Sequence, residues 1–275
     1  MADAVNLSSS VRSNLLTLQR SSDLIALTQT RLSTGKVVNS AIDDAPAFFT
    51  AKALENTASD FNLLKTDIDL AISTIQAAID GIDAITELVV QAKGLATNSK
   101  ATGNTNERST LAVQFNELLG QINLIANDAS FNGSNLLKAT PDELGVAFND
   151  DNSSNLTITG LDSTTASTGI NIAVAANGFG ANANIDAALT QISAALSELR
   201  TNAATMGSKN TILGTRLDFT ENLVANLNNG EGKLTLADLN EESAKLLALQ
   251  TRQQLGINSL ALAAQSERSI LALFG

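Results

Sequence analysis

The side chains best suited to acid–base chemistry are three pairs of adjacent carboxylates, Asp43-Asp44, Asp150-Asp151 and Glu241-Glu242. A glycosidase needs two carboxylates facing each other across a cleft, in different environments. Neighbours on one polar stretch do not supply that, and they read as helix caps or solvated charge. Asp150-Asp151-Asn152 could hold a calcium ion loosely, but it lacks the ligand series and closing Glu of a calcium loop and reads as a plain turn. The chain contains no His and no Cys. This removes the usual general base near neutral pH, the commonest metal ligand, disulfides and thiol chemistry. No Gly-rich loop closed by Lys-Ser/Thr is present to cradle a phosphate. With 17 Lys+Arg against 28 Asp+Glu and a net charge of −11, no basic footprint exists for a nucleic acid. No catalytic residue, metal or cofactor is expected.

The residues that stand out are apolar and periodic. Hydrophobic residues make up 44% of the chain, aromatics only 3%, with no Trp or Tyr. Leu54, Phe61, Ile68, Ile75, Ile82 and Val89 recur every seven residues, with Leu64, Ala71, Ala78, Ile85 and Ala92 between them. This 3-4 stripe predicts a helix packed along its whole length, about 50 Å long. A second stripe runs Ile185, Leu189, Ile192, Leu196, Leu199, Ala203, Met206, Asn210, Leu213, Leu217, Thr220, Val224 and Leu227, polar only at Asn210 and Thr220. It predicts a helix of about 60 Å, longer than a compact globule of this chain would be across. Leu111, Phe115, Leu118, Ile122 and Ile125 predict a third helix after a loop at 98–106.

Both ends repeat the theme. Val11, Leu18, Ile25 and Leu32 are spaced by seven, with Leu15, Ser22 and Gln29 between them. Near the other end lie Leu239, Leu246, Leu249, Ile257, Leu260, Ala264, Leu271 and Phe274. Pairing the two ends buries one stripe of each, but Leu16, Leu24, Leu27, Leu247, Leu255, Leu262 and Leu273 fall off it. That surplus predicts self-association. Gly256 has two open readings: tolerance within a packed helix, or close approach of another subunit. Residues 141–184 lack a helical period. Val146 with Phe148, Leu156 with Ile158, and Ile170, Ile172 and Val174 read as short strands, with a hairpin turn at 150–155. The expected fold is mainly α: a long antiparallel helical rod with a terminal coiled coil and a small β-hairpin insert. The expected domains are 1–40 plus 232–275, the terminal coiled coil; 41–140 plus 185–231, the helical rod; and 141–184, the insert. No run of 18 apolar residues predicts a membrane span, and the first eight residues do not read as a cleavable secretory signal.

Three stretches resemble one family. Thr30-Arg31-Leu32-Ser33-Thr34-Gly35-Lys36, followed by Asn39-Ser40-Ala41-Ile42-Asp43-Asp44-Ala45, resembles the N-terminal signature of bacterial flagellins. Ile125-Ala126-Asn127-Asp128 through Phe131-Asn132-Gly133 and Leu136-Leu137 resembles their Phe-Asn-Gly turn, and Gln253-Gln254-Leu255-Gly256, Leu260-Ala261 and Ile270-Leu271-Ala272-Leu273-Phe274 resemble their closing signature. The resemblance covers roughly 1–140 and 185–275, and 141–184 falls where the family varies.

The resemblance implies a structural subunit that self-polymerises into the extracellular flagellar filament for swimming. It implies terminal helices lining an inner tube, with Val11, Leu18, Ile25, Leu32, Leu246, Leu249, Leu260, Leu271 and Phe274 in self-assembly, and Arg31, Asp43 and Asp44 in the spoke between domains. It further implies type III export without a cleaved signal peptide, a cytoplasmic chaperone, junction proteins and a filament cap as partners, and no membrane insertion. Aligning on Glu87-Leu88-Val89-Val90-Gln91 puts Asp83 and Ala84 where many flagellins carry a Gln-Arg read by an animal toll-like receptor, so only Glu87 and Leu88 of that patch remain and weak recognition is expected. Exposed Ser and Thr such as those of 163–168 are candidate O-glycosylation sites. The rival readings are a hook–filament junction protein of the same superfamily and, further off, a soluble coiled-coil adaptor.

Overall fold

The computed structural model describes residues 9–274, with Ser10, Glu267 and 270–274 as backbone only. Five helices dominate: α1 (Ser9–Thr34), α2 (Ala45–Ala101), α3 (Thr105–Asp128), α4 (Asn182–Thr235) and α5 (Leu239–Phe274). Two antiparallel hairpins lie between α3 and α4: β1 (Ser130–Phe131) with β2 (Ser134–Asn135), and β3 (Glu143–Ala147) with β4 (Asn155–Thr159). The chain is mainly α with a small β insert, as its sequence predicts. It divides into two compact units, 1–56 with 226–275 and 57–225.

Helix boundaries follow local chemistry. Asp44 accepts a hydrogen bond from the Ala47 amide at 3.0 Å and caps α2. Asp238 does the same for α5, accepting from the Asn240 and Glu241 amides, and Asn104 caps α3. Glu241 and Glu242 then sit in the first turn of α5, where the helix dipole favours negative charge. α1 stops at Gly35, whose φ of +69° no β-carbon opposes, and whose amide bonds back to the Arg31 carbonyl.

In the 57–225 unit the two long stripes are the core. Ile68, Ile75, Ile82, Ile85 and Val89 of α2 join Phe115, Leu119 and Ile122 of α3 and Ile185, Ile192, Leu199, Met206 and Leu213 of α4 in one buried cluster. Phe115 and Phe179 meet edge to face at 5.2 Å, with Phe179 delivered by a left-handed turn at 177–179. The Phe131-Asn132-Gly133-Ser134 turn is a two-residue hairpin with φ of +51° and +81° at its centre, the type I′ geometry that suits strand twist. Asn135 behind it is buried and fully bonded. Its Nδ2 donates to the Ala126 and Asn127 carbonyls, and its Oδ1 accepts from the Leu137 and Lys138 amides. It thereby ties the end of α3 to the hairpin. Gly81 of α2 is a contact point: a β-carbon there would lie 2.8 Å from Leu137 Cδ1 and 2.9 Å from Ala129 Cβ. The β3–β4 hairpin buries Val146 and Ile158 against the same cluster, and Arg216 of α4 stacks over Phe148 at 4.8 Å.

Three sequence expectations are corrected. The stretch 170–174 forms no strand; Ile170 and Ile172 are buried but Val174 is exposed, because the backbone turns on its own bonds to 164–166 and finds no partner strand. The first long helix runs on to Ala101, which shortens the predicted 98–106 loop to three residues. Of the 163–168 hydroxyls expected to be exposed, Ser163 and Thr164 are buried, bonded to the Leu161 carbonyl and to Asp162, while Ser167 and Thr168 are exposed.

Candidate functional site

α1 packs antiparallel on α5. The face of α1 turned inward is Val11, Asn14, Leu18, Ser21, Ile25, Thr28 and Leu32; that of α5 is Glu242, Leu246, Leu249, Gln253, Gly256, Leu260 and Ala263. Both follow alternating steps of three and four, the coiled-coil pattern. Val11, Leu18, Ile25, Leu32, Leu246, Leu249 and Leu260 therefore lie in the seam within one chain. The side chains of Leu271 and Phe274 lie outside the described residues.

The second series in α1 differs from the expected one. Ser21 and Thr28 are buried where Ser22 and Gln29 were expected, and Leu15 is exposed. In α5, Leu239, Ile257 and Ala264 are exposed, and Gln253 and Gly256 take the seam. The cause is close approach. A β-carbon at Gly256 would stand 2.8 Å from Leu18 Cδ2 and 3.2 Å from its Cγ, so small residues belong on this face. Of the two readings of Gly256, the neighbour found is α1 of the same chain. A second set of bulky side chains is turned outward: Leu15, Leu16, Leu24 and Leu27 of α1, and Leu247, Leu255, Ile257 and Leu262 of α5 are exposed, Leu262 by 72%. The result is a helix pair with a seam of mixed aliphatic, polar and small residues and exposed leucines outside it.

The base of this pair carries the charged residues. Arg31 Nη1 lies 3.5 Å from Glu242 Oε1, and Glu242 is 3% exposed. Lys245 reaches Glu241 at 2.8 Å and Glu242 at 3.0 Å, and these hydrogen bonds, Glu241 first, raise the Lys245 pKa. Lys36 bonds Glu231 at 3.0 Å; this bond holds the Glu231 carboxyl below its usual range, with a further lowering from the Thr235 hydroxyl. Asp43 does not pair directly with a cation. Its Oδ2 accepts from the Asn39 and Ser40 amides and the Ser40 hydroxyl, and these bonds, the amides first, lower its pKa, with a smaller contribution from the Arg31 charge. Asp44 is the α2 cap.

Asp83 and Glu87 are exposed on α2, and Ala84 and Leu88 are half-buried beside them. An open groove of about 620 Å³ lies further along α2, lined by Gln91, Leu95 and Asn98 with Gln114 and Leu118 of α3. Among the described residues no three Asp or Glu side chains converge as a metal site, and no helix is long and apolar enough to cross a membrane.

Two long terminal segments match known families. Residues 5–142 match the bacterial flagellin N-terminal helical region and 184–274 the bacterial flagellin C-terminal helical region. The chain is 34% identical over 273 residues to flagellin FljM of Caulobacter vibrioides, covering 99% of this chain and 98% of that one. It is 30% identical to a flagellin of Brucella melitensis, covering 97% of each. The crystal structure of Bacillus cereus flagellin superposes with a TM-score of 0.49 at 20% identity, over 56% of this chain and 88% of that one. The chain belongs to the bacterial flagellin family and is a subunit of the flagellar filament.

Proposed function

We propose that the exterior of the α1–α5 pair is the surface through which this flagellin polymerises, and that the resulting filament serves swimming. The observation that supports this is the row of leucines left exposed on both helices after the seam between them is filled. Burying one such leucine is worth about 2 kcal/mol, so several per subunit drive association. On this reading the seam residues Val11, Leu18, Ile25, Leu32, Leu246, Leu249 and Leu260 build the helix pair. Leu15, Leu16, Leu24, Leu27, Leu247, Leu255 and Leu262 then touch other subunits; Leu271 and Phe274, whose side chains lie outside the described residues, are assigned the same self-assembly role. The domain of 1–40 with 232–275 is the inner-tube element, 41–140 with 185–231 the rod, and 141–184 the variable insert; Arg31, Asp43 and Asp44 belong to the spoke. The role is structural and not enzymatic, in keeping with carboxylate pairs spent on caps and turns. Export through the flagellar type III apparatus without signal cleavage, a chaperone, junction proteins and a cap complete the partners. Toll-like receptor recognition through Asp83, Ala84, Glu87 and Leu88 is weak.

Electron microscopy after seeding with filament fragments tests the assembly surface. Full-length chain is expected to grow filaments; chain lacking 1–36 and 235–275, and full-length Leu16→Glu/Leu255→Glu, are expected to remain unpolymerised. Normal filament growth by the double variant overturns the assignment.

A further inference from the structure

The α1–α5 seam does not by itself choose its register. Both helices repeat every seven residues, so a slip of one heptad still sets seam against seam. Near one end of the pair, however, the chain is closed by contacts that do not repeat. The Ala237 amide donates to the Gly35 carbonyl at 2.9 Å and the Val37 amide to the Thr235 carbonyl at 2.7 Å, on either side of an antiparallel bridge between Lys36 and Leu236. Two ion pairs flank this bridge, Arg31–Glu242 on the α1–α5 side and Lys36–Glu231 on the α4 side. Thr235 and Val38 are buried there, and Val38 lines a cavity of about 60 Å³ with Phe48 and Ala51 of α2.

We propose that residues 31–38 and 231–242 form a clasp that sets the register in which the terminal helices pair. The alignment fixed at the bridge carries outward: Arg31 meets Glu242 and Leu18 meets Gly256, each within two residues of the register that Lys36–Leu236 dictates. A slip of seven residues would set Leu18 against Leu249 or Ala263 instead of the Gly256 notch. It would also take Arg31 away from Glu242, a buried carboxylate whose Oε2 has no hydrogen-bond partner. Lys245 cannot read the register, because it lies on the same helix as Glu242 and moves with it. Arg31, Lys36 and the Ala237 amide are positioning groups, acting before and apart from any contact between subunits.

The chain has no cysteine, so register can be read by introduced pairs. Ser21→Cys/Gln253→Cys reports the native register and Thr28→Cys/Gln253→Cys a one-heptad slip, both scored as intrachain disulfides in full-length chain, unassembled and in filaments. With the clasp intact, the native pair closes at least about tenfold faster than the slipped pair, since the slip separates Arg31 from Glu242 and sets Leu18 against Ala263 instead of the Gly256 notch. Arg31→Met/Lys36→Met, which keeps the apolar stems, and Ala237→Pro, which removes the bridging amide and fixes φ at that position, are each expected to erase that preference. An unchanged preference in both variants overturns the proposal. So does loss of both cross-links together, which would make the clasp a tether and not a register. Filament yield is scored separately by sedimentation: native cross-linking without filaments counts against the assembly reading and leaves the clasp standing.

Discussion

Glycines that look alike in the sequence differ in what surrounds them. Gly81 and Gly120 are both helix-interior residues that propensity would replace with alanine. At Gly120 nothing lies within 4 Å of an added β-carbon, so Gly120→Ala is expected to stabilise by about 0.5–1 kcal/mol. At Gly81 the same carbon overlaps Leu137 and Ala129, and Gly81→Ala is expected to destabilise. Urea unfolding of the two variants checks the opposite signs. Asn135 is the other residue whose role is local and decisive. Asn135→Ala leaves one buried and one half-buried amide and the end of α3 without these partners, and a loss of about 3 kcal/mol is expected in the same assay.

At the scale of elements, caps and seams divide the work. The adjacent carboxylates that invite a catalytic reading are spent on two helix starts, the loop before α2 and the β3–β4 turn. Removing the Asp44 cap leaves an α2 amide unsatisfied, and Asp44→Ala is expected to cost about 1 kcal/mol, with Asp44→Asn close to wild type. Circular dichroism melts of the three chains distinguish a cap from a charge. The helices themselves were legible: seven-residue spacing of Ile and Val in α2 and of Ile, Leu and Met in α4 marks them, and those residues join the buried cluster. The seam of the terminal pair was only half legible. Hydrophobicity ranks Leu15 above Asn14 and Ile257 above Gly256, yet the smaller residue of each pair faces the partner helix, because backbone proximity selects for size and the surplus leucines are left outside.

For the whole molecule, acid is the informative variable. The carboxyls of Asp43, Asp142 and Glu231 have depressed pKa values, through amide hydrogen bonds at Asp43, Lys138 at Asp142 and Lys36 at Glu231. A depressed folded-state pKa contributes stability that is present above the unfolded value, about 4, and is lost as pH falls through the folded one. The urea midpoint is therefore expected to stay level from neutral pH to about 5 and to fall below about 4. Protonation also relieves repulsion among the 18 Asp and Glu of 57–225, which face only 8 Lys and Arg, and this works in the opposite direction. Lys36→Met should flatten the acid limb by removing the Glu231 contribution; an unchanged limb would assign the acid sensitivity to the loop aspartates.

Sequence alone determined the long helices, the hairpin of the insert, the absence of histidine and thiol chemistry, and an excess of apolar residues at the ends. These are properties of composition and of spacing along one helix, where a residue's neighbours are three and four positions away. The tertiary structure decided which face of α1 meets α5, that Gly256 receives Leu18, and that Arg31 meets Glu242 across 211 residues of chain. Such pairings join residues far apart in the chain, and the repeat within each helix does not say which residue meets which. Only the folded path of the backbone brings them together, at the clasp where the two ends of the chain are aligned.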